Sequence, residues 1–147
     1  MSTIHASAVL TGARAVLIRG PSGAGKSRLA WALIEAGRTG LLAFARLVGD
    51  DRVHVEAAGG RLLVRPAPEL AGMIELRGLG IRALPYEPVA AVGLIVDLAA
   101  ADAARLPPPE AGTGTIAGLE LPRLAVAAGV NPLPLVLAIV RNRPAAD

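Results

Sequence analysis

Residues 20–27 are GPSGAGKS and have the residue types and spacing of a phosphate-binding loop. Glycines let such a loop curl around a polyphosphate so that successive N–H groups point inward, and the helix that follows adds the positive end of its dipole. The pattern G-x-x-x-x-G-K-[ST] is matched in full. The candidate nucleotide-binding residues are Gly20, Pro21, Ser22, Gly23, Ala24, Gly25, Lys26 and Ser27.

Lys26 is the single lysine among the 15 Lys and Arg residues of the chain. A slim ammonium group fits between the β- and γ-phosphate oxygens of a nucleotide, where a flat, forked guanidinium does not. This exception favours a nucleotide site in which Lys26 binds phosphates and the Ser27 hydroxyl is placed for Mg²⁺. The alternative is a glycine-rich turn that only caps a helix.

The acidic pair Asp50 and Asp51 follows directly after an apolar segment. The end of a strand is where a nucleotide site receives its carboxylates. Adjacent aspartates repel each other, and the repulsion is relieved if one holds a cation while the other takes a proton. The alternative is a solvated turn, since Gly-Asp-Asp is also a common turn composition.

The segment IELRGLGI, residues 74–81, contains charged residues and glycines in an otherwise apolar stretch. Glu75 and Arg77 lie on one side if the segment is extended, and Gly78 and Gly80 permit close approach of the backbone to a ligand. Because of these glycines, we expect neither a regular helix nor a regular strand here. The alternative is a bulged strand with a surface ion pair.

The composition predicts one domain over residues 1–147, because 53% of the residues are hydrophobic. The absence of cysteine excludes disulfides, thiolate nucleophiles and cysteine-ligated metals. The positive charges are scattered and aromatic residues make up 2% of the chain, which argues against a nucleic-acid partner. No apolar stretch is long enough to span a membrane, so we expect a cytoplasmic protein without a membrane partner.

The hydrophobic patterns predict an α/β fold with an unusually large share of strands. Two helices are expected, one after Ser27 with a stop at Gly37 and one over residues 132–142, with Asn131 as its N-cap and Arg141 and Arg143 near its end. The expected strands and loops are a hairpin of residues 4–10 and 14–19, a strand ending at Leu47-Val48, a hairpin around Gly59-Gly60, a buried strand at 89–99, a surface loop at 101–114 and two short strands around 115–127.

With these features together, the chain resembles the catalytic domain of HPr kinase/phosphorylase, which phosphorylates a serine of the phosphocarrier protein HPr. The resemblance rests on His5 in IHASAVL, on GPSGAGKS, on VGDDRV at 48–53 and above all on IELRGLGI. It implies a P-loop fold akin to phosphoenolpyruvate carboxykinase, with a strand-rich sheet and few helices. It also implies a serine kinase that uses ATP and Mg²⁺, takes HPr as its protein substrate and assembles as a homohexamer.

The resemblance also implies roles for single residues. Lys26 binds phosphates, and Ser27 and Glu75 bind the metal ion. The acidic pair supplies the base, a role with which Asp51 aligns better than Asp50. His5 matches a catalytic-site histidine, and Arg105 matches an arginine that stabilises phosphoryl charge. The residues alone leave His5 open as an ordinary strand-face histidine and Arg105 as a solvated loop cation. His54, Trp31 and Tyr86 are expected to be structural.

The sequence departs from the family pattern in several places. The chain begins at the catalytic core, as in the shortened version of the family, and Arg28 stands where an acidic residue is common. The stretch between Lys26 and Asp50 is longer than usual, and the stretch between Glu75 and Arg105 is shorter. Residues 126–131 are VAAGVN instead of a segment like VRPGRN, so both arginines of that segment are missing.

The VRPGRN segment is tied in the family to the reverse reaction, in which inorganic phosphate attacks phosphoserine. Because an anion site without its cations holds phosphate poorly, we expect the kinase activity to be retained and the phosphorylase activity to be weak or lost. The rival hypothesis is a regulatory module that senses ATP and binds a partner protein without transferring phosphate.

Overall fold

The structure is a computed structural model that describes residues 2–142. Its strands are β1 (Ser2–Ile4), β2 (Ser7–Thr11), β3 (Arg14–Arg19), β4 (Ala45–Gly49), β5 (Val53–Ala58), β6 (Arg61–Pro66), β7 (Met73–Leu76), β8 (Gly80–Ala83), β9 (Ala90–Leu98), β10 (Thr113–Ile116) and β11 (Leu119–Val126). Its helices are α1 (Lys26–Arg38) and α2 (Leu133–Arg141), with short 3₁₀ turns at Pro68–Leu70 and Pro109–Gly112. The predicted strand-rich α/β fold with few helices is confirmed.

The main sheet is built around β9, the long apolar strand predicted at 89–99. The strand order is β1-β5-β6-β9-β3-β2-β4, and β11 also pairs with β9. β9 runs parallel to β3 and to β11, so the carboxyl ends of these strands lie at one edge, with Arg19 opposite Asp97. Ligands of α/β proteins bind outside the carboxyl ends of parallel strands. The glycine loop leaves β3 at this edge.

Helix α1 packs its apolar face on the sheet. Its buried residues recur at helical spacing and are Leu29, Ala30, Leu33, Ile34 and Ala36. The predicted stop at Gly37 is wrong, because the helix continues to Arg38. A Cβ at Gly37 would lie 2.8 Å from Ala45 of β4. This glycine therefore allows the helix to approach the strand closely.

The predicted N-terminal strand at 4–10 is divided into two strands. β1 ends at Ile4 and pairs with β5, whereas β2 begins at Ser7 and pairs with β3 and β4. The chain thus passes from one part of the sheet to another at residues 5–6. This break places His5 outside both strands, at a point where its side chain reaches the candidate site described below.

The segment IELRGLGI is a regular hairpin, so the expectation of irregular structure was wrong. β7 and β8 pair from Met73 with Ala83 to Leu76 with Gly80. The turn between them is closed by the Leu79 N–H, which donates to the Leu76 carbonyl at 2.9 Å. Gly78 and Gly80 have φ values of 86° and 97°. The glycines therefore form a tight turn between two strands instead of interrupting one.

The C-terminal part follows the predicted order with shifted boundaries. The predicted loop at 101–114 ends earlier, since β10 begins at Thr113, and β11 has 8 residues. Helix α2 begins at Leu133 with Pro132 at the N-cap position, so the predicted N-cap at Asn131 is wrong by one residue, although the Asn131 side-chain oxygen accepts the Leu133 N–H at 3.2 Å. Arg141 lies in its last turn, and Arg143 is outside the described residues. Neither helix of residues 2–142 has the length and apolar character needed to cross a bilayer.

Candidate active site

An open cavity of about 1020 Å³ lies at the carboxyl edge of the sheet, between the glycine loop and the β7–β8 hairpin. Its lining residues are His5, Gly20, Pro21, Ser22, Gly23, Gly25, Lys26, Ser27, Arg28, Trp31, Asp51, Glu75, Leu76, Arg77, Gly78 and Gly80. The structure therefore brings together most of the residues that the sequence predicted for the site. Trp31, which was expected to be only structural, also faces this cavity.

The glycine loop has the backbone of an anion cradle. Gly23 and Gly25 have φ values of 84° and 99°, which other residues adopt only with strain. A Cβ at Gly20 would lie 3.1 Å from the Leu98 side chain, so this glycine packs tightly on the end of β9. Gly25 precedes α1, and no side chain among residues 2–142 caps the helix. The first N–H groups of α1 are thus left for a ligand, and the loop fits a polyphosphate.

The Lys26 ammonium group folds over the glycine loop. It donates to the Gly20 carbonyl at 2.8 Å and to the Pro21 carbonyl at 3.2 Å. An ammonium group has three N–H donors. The two carbonyls therefore hold the charge against the glycine loop and leave part of its donor capacity unused.

The Asp50 carboxylate is buried, with a relative exposure of 3%, and joins three elements of the fold. One oxygen, Oδ1, accepts hydrogen bonds from the Ser7 hydroxyl of β2 at 2.6 Å and from the Ser27 hydroxyl of α1 at 2.7 Å. The other, Oδ2, accepts from the Glu75 backbone N–H of β7 at 3.1 Å. Asp50 does not line the cavity. Its hydrogen bonds hold the Ser27 side chain and the β7–β8 hairpin in position.

Asp51 lies in the cavity wall, next to the buried aspartate. Its φ of 72° is in the left-handed region, and the Arg52 N–H donates to the Asp50 carbonyl at 2.8 Å across it. This three-residue turn with positive φ is rare and costs about 1–3 kcal/mol. The strained turn separates the two acidic side chains, so that one is buried and the other faces the cavity.

Glu75 and Arg77 face the cavity from the hairpin. Arg77 reaches over the glycine loop, because one of its Nη atoms lies 4.0 Å from the position of a Cβ on Gly23. Within residues 2–142, no group of three His, Cys, Asp or Glu side chains could hold a metal ion alone. Mg²⁺ usually keeps few protein ligands and shares phosphate oxygens. The Ser27 hydroxyl, oriented by Asp50, and the Glu75 carboxylate fit that arrangement.

Arg105 lies apart from this group. It occupies an exposed bend in the loop between β9 and the 3₁₀ turn at Pro109–Gly112, and it does not line the cavity. Its assigned role therefore rests on the resemblance alone.

Conversely, Ser7 was missed by the sequence reasoning. The only sign in the sequence is a small polar residue within the apolar segment IHASAVL.

A charge network lies behind the glycine loop and ties its base to the C-terminal strands. Arg19 donates to both oxygens of Asp97 at 2.7 and 2.9 Å, and Arg123 donates to Asp97 at 2.6 Å. Arg123 also holds Asp102 through two hydrogen bonds of 2.8 and 3.0 Å. Arg19 directly precedes Gly20. The network thus links the start of the loop to β9, β11 and the segment that carries Arg105.

The network also shifts the ionisation of its members. Partial burial alone would raise the pKa of Asp97, but the hydrogen bonds and charges of Arg19 and Arg123 outweigh burial and hold this pKa below its usual value of 3.8. The hydrogen bonds from Arg123 likewise lower the pKa of Asp102. The two carboxylates raise the pKa of Arg123 above its usual range. All three groups are therefore charged at neutral pH.

Comparison with known proteins identifies the family of the chain. The family model described as the HPr Serine kinase C-terminal domain matches residues 1–85, which is more than half of the chain. The chain belongs to this family. The matched region contains the glycine loop, the acidic pair and the β7–β8 hairpin, and the family resemblance expected from the sequence is confirmed.

Individual relatives support the assignment. The HPr kinase/phosphorylase of an Exiguobacterium species is 45% identical over 67 residues, which cover 45% of this chain and 19% of the relative. That of Clostridium beijerinckii is 44% identical over 66 residues, which cover 45% and 20%. The match spans about a fifth of the length of these relatives. The structure of the Hpr(Ser) kinase/phosphatase from Coxiella burnetii has a TM-score of 0.77 at 26% identity and covers 97% of this chain and 95% of that one.

The charge network predicts how the free energy of unfolding depends on pH. Folding lowers the pKa of Asp97 below its usual value of 3.8. The ionised carboxylate therefore stabilises the fold above about pH 3.8, and this stabilisation is lost as the pH falls through the lower pKa of the folded state. We expect the free energy of unfolding to fall below about pH 4. Asp97→Asn should reduce this dependence and lower stability at neutral pH by about 1–3 kcal/mol. Urea unfolding at a series of pH values measures both effects.

The matched control is Glu110→Gln, because Glu110 lies in the 3₁₀ turn at Pro109–Gly112 and makes no ion pair within residues 2–142. It should follow the wild-type curve. Equal acid dependence of Asp97→Asn and wild type would show that the network does not set the acid limit.

Proposed function

We propose that this chain is a serine kinase that uses ATP and Mg²⁺ and phosphorylates the phosphocarrier protein HPr. The main support is the meeting, in one cavity, of an uncapped helix N-terminus, the Lys26 ammonium group and the Asp51 carboxylate. The first two suit the phosphates of ATP, and the third suits the proton of an acceptor hydroxyl. HPr is proposed as the acceptor because the matching family model is described as the HPr Serine kinase C-terminal domain.

The glycine loop and Lys26 are proposed to hold the triphosphate, with Ser27 and Glu75 as ligands of Mg²⁺. When bound, Mg²⁺ supplies positive charge that offsets the charge of the phosphate oxygens. The Ser27 hydroxyl donates its hydrogen to Asp50 Oδ1, with 2.7 Å between the two oxygens. The lone pairs of this hydroxyl are thereby left for the cation. Arg77 adds a further cation over the loop.

Asp51 is the better candidate for the base. The Asp50 oxygens already accept three hydrogen bonds inside the protein, whereas Asp51 lies in the cavity wall. In the proposed step, the serine oxygen of the acceptor forms a bond to the γ-phosphorus, and the bond from this phosphorus to the bridging oxygen breaks. Asp51 takes the hydroxyl proton, and ADP leaves with the electron pair of the broken bond.

Other parts of the proposal rest on the family resemblance. They are a role for His5 next to the transferred group, a role for Arg105 in stabilising its charge, homohexameric assembly and a cytoplasmic location. Helix α2 is the proposed docking element for HPr. It exposes Leu135 and Ile139 at 43% and 42% of their surfaces, which supports a contact with another protein.

A second candidate function is an ATP-sensing module that binds a partner without transferring phosphate. Two observations favour it: Arg105 lies outside the cavity, and Ala127 and Val130 stand where the family pattern has arginines. Labelled ATP, Mg²⁺ and purified HPr distinguish the two functions. Only the kinase yields phosphoserine on HPr, which mass mapping would locate.

Lys26→Ala should abolish phosphoryl transfer while the protein stays folded. Loss of one charge-assisted contact should weaken ATP binding about 10- to 100-fold. Trp31 is the only tryptophan and lines the cavity, so its fluorescence reports nucleotide binding directly. Circular dichroism checks the fold.

Arg38→Ala is the matched control, since it removes a basic residue from the far end of the same helix. It should bind ATP as wild type does. A Lys26→Ala variant that still phosphorylates HPr would contradict the proposed site.

The two aspartates should respond differently to replacement by asparagine. Asp51→Asn should lower kcat about 10²- to 10⁴-fold through loss of the base, with stability nearly unchanged because asparagine tolerates positive φ. Asp50→Asn should destabilise the fold by about 1–3 kcal/mol, because its amide group cannot replace all the accepted hydrogen bonds. Thermal unfolding and steady-state kinetics measure both. A stable, inactive Asp50→Asn protein beside an active Asp51→Asn protein would reverse the assignment.

The reverse reaction should be slow. In that reaction, an oxygen of inorganic phosphate attacks the phosphorus of phosphoserine, the serine hydroxyl is released and pyrophosphate forms. Ala127 and Val130 are exposed, so Ala127→Arg with Val130→Arg can restore the cations without disturbing the core. We expect the double variant to release pyrophosphate from phosphorylated HPr at least about tenfold faster, because charge-assisted contacts to phosphate are restored.

Ala57→Arg serves as the control for added charge, because Ala57 is exposed on the β5–β6 hairpin away from this segment. It should not accelerate the reaction. Rapid pyrophosphate release by the wild-type protein would contradict the proposal.

A further inference from the structure

Ser7 is completely buried and hydrogen-bonds to both members of the acidic pair. Its hydroxyl donates to Asp50 Oδ1 at 2.6 Å, and its oxygen accepts the Asp51 backbone N–H at 3.5 Å. We propose that Ser7 is a positioning residue for phosphoryl transfer, which fixes through one hydroxyl both the buried carboxylate and the strained turn that presents the base. This inference rests on the proposed function, since it takes Asp51 as the base.

The chemistry of the hydroxyl explains why a serine suits this position. An ionised carboxylate only accepts hydrogen bonds, so the Ser7 hydroxyl donates its single hydrogen to Asp50. Its lone pairs then remain for the N–H of Asp51. An alanine offers neither contact, whereas a threonine offers both. One hydroxyl thus connects the two aspartates through β2, an element outside the turn itself.

Ser7 also constrains Ser27. Both hydroxyls donate to the same oxygen of Asp50, at 2.6 and 2.7 Å, and the other oxygen is held by the Glu75 N–H. The carboxylate therefore cannot rotate without breaking a hydrogen bond. While it is held, the Ser27 hydrogen points at Asp50 and the Ser27 lone pairs point elsewhere. Loss of Ser7 removes one of the three restraints on this carboxylate.

The inference concerns transfer and not only stability. A residue that merely satisfies a buried carboxylate would change the free energy of unfolding and leave kcat of the folded protein unchanged. A positioning residue lowers kcat of the folded protein, because misplacement of a reacting group by about 1 Å can cost about 100-fold in rate. The two roles are therefore separable by measurements on folded protein.

The test compares Ser7→Ala with Ser7→Thr, and Thr11→Val is the control. Thr11 carries the other side-chain hydroxyl of β2 and donates to the Arg14 carbonyl, away from the cavity. For Ser7→Ala we expect kcat to fall about 10- to 100-fold at saturating ATP. Trp31 fluorescence without Mg²⁺ should give an ATP Kd within about twofold of wild type, since the glycine loop is unchanged. Ser7→Thr should recover most of kcat, and Thr11→Val should match wild type.

Two results would overturn the inference: an unchanged kcat in folded Ser7→Ala protein, or a loss of kcat matched by an equal loss of ATP affinity. If the added methyl group of Ser7→Thr prevents folding, Ser7→Cys replaces it. A thiol is only a weak donor, so its kcat should lie between those of serine and alanine.

Failure of the proposed function has a different signature. If wild-type protein transfers no phosphate to HPr, the kinase proposal fails, and Ser7 is then judged by hydrogen exchange alone. Amide exchange at residues 50–52 should be at least about tenfold faster in Ser7→Ala, because the Asp51 N–H loses its acceptor. Unchanged exchange at these amides would overturn the positioning role independently of any activity.

Discussion

The buried carboxylate of Asp50 is the contact on which the arrangement of the site depends. A buried charge is tolerated only when it is fully hydrogen-bonded. Asp50 meets this condition with donors from β2, α1 and β7, which are far apart in sequence. The same condition that stabilises the charge therefore fixes the glycine loop and the β7–β8 hairpin relative to each other. The cavity exists because these two elements are held on either side of one carboxylate.

The two adjacent aspartates differ because the backbone turns between them. In a regular strand, successive side chains point to opposite faces, and the left-handed conformation of Asp51 turns the chain further at the end of β4. Such a conformation persists only when its surroundings impose it. Here the surroundings are the Ser7 hydroxyl and the Arg52 N–H. Repulsion between neighbouring acids is avoided by burying one within donors and exposing the other.

The local features were predictable from the sequence, and the long-range ones were not. The glycine loop, the start of α1 and the apolar strand β9 each follow from residues within one segment. The β7–β8 hairpin was missed because Gly78 and Gly80 suggest irregularity until the pairing of Leu76 with Gly80 is known. Ser7 was missed because its partner is 43 residues away. Gly37 suggested a helix end because the sequence does not show its other role, which is to let α1 lie against β4.

In the C-terminal region, the contacts that hold the fold are separate from the exposed residues that follow them. Sequence similarity to the family model ends at residue 85, yet structural similarity to the Coxiella burnetii protein covers 97% of the chain. Beyond residue 85, the fold needs an apolar β9 and the contacts by which Arg123 ties β11 to Asp97, and both are present. Residues 126–131 lie after these contacts and are exposed except for Val126. Their side chains can therefore change without moving the glycine loop, so the shape of the cavity does not depend on which residues stand there.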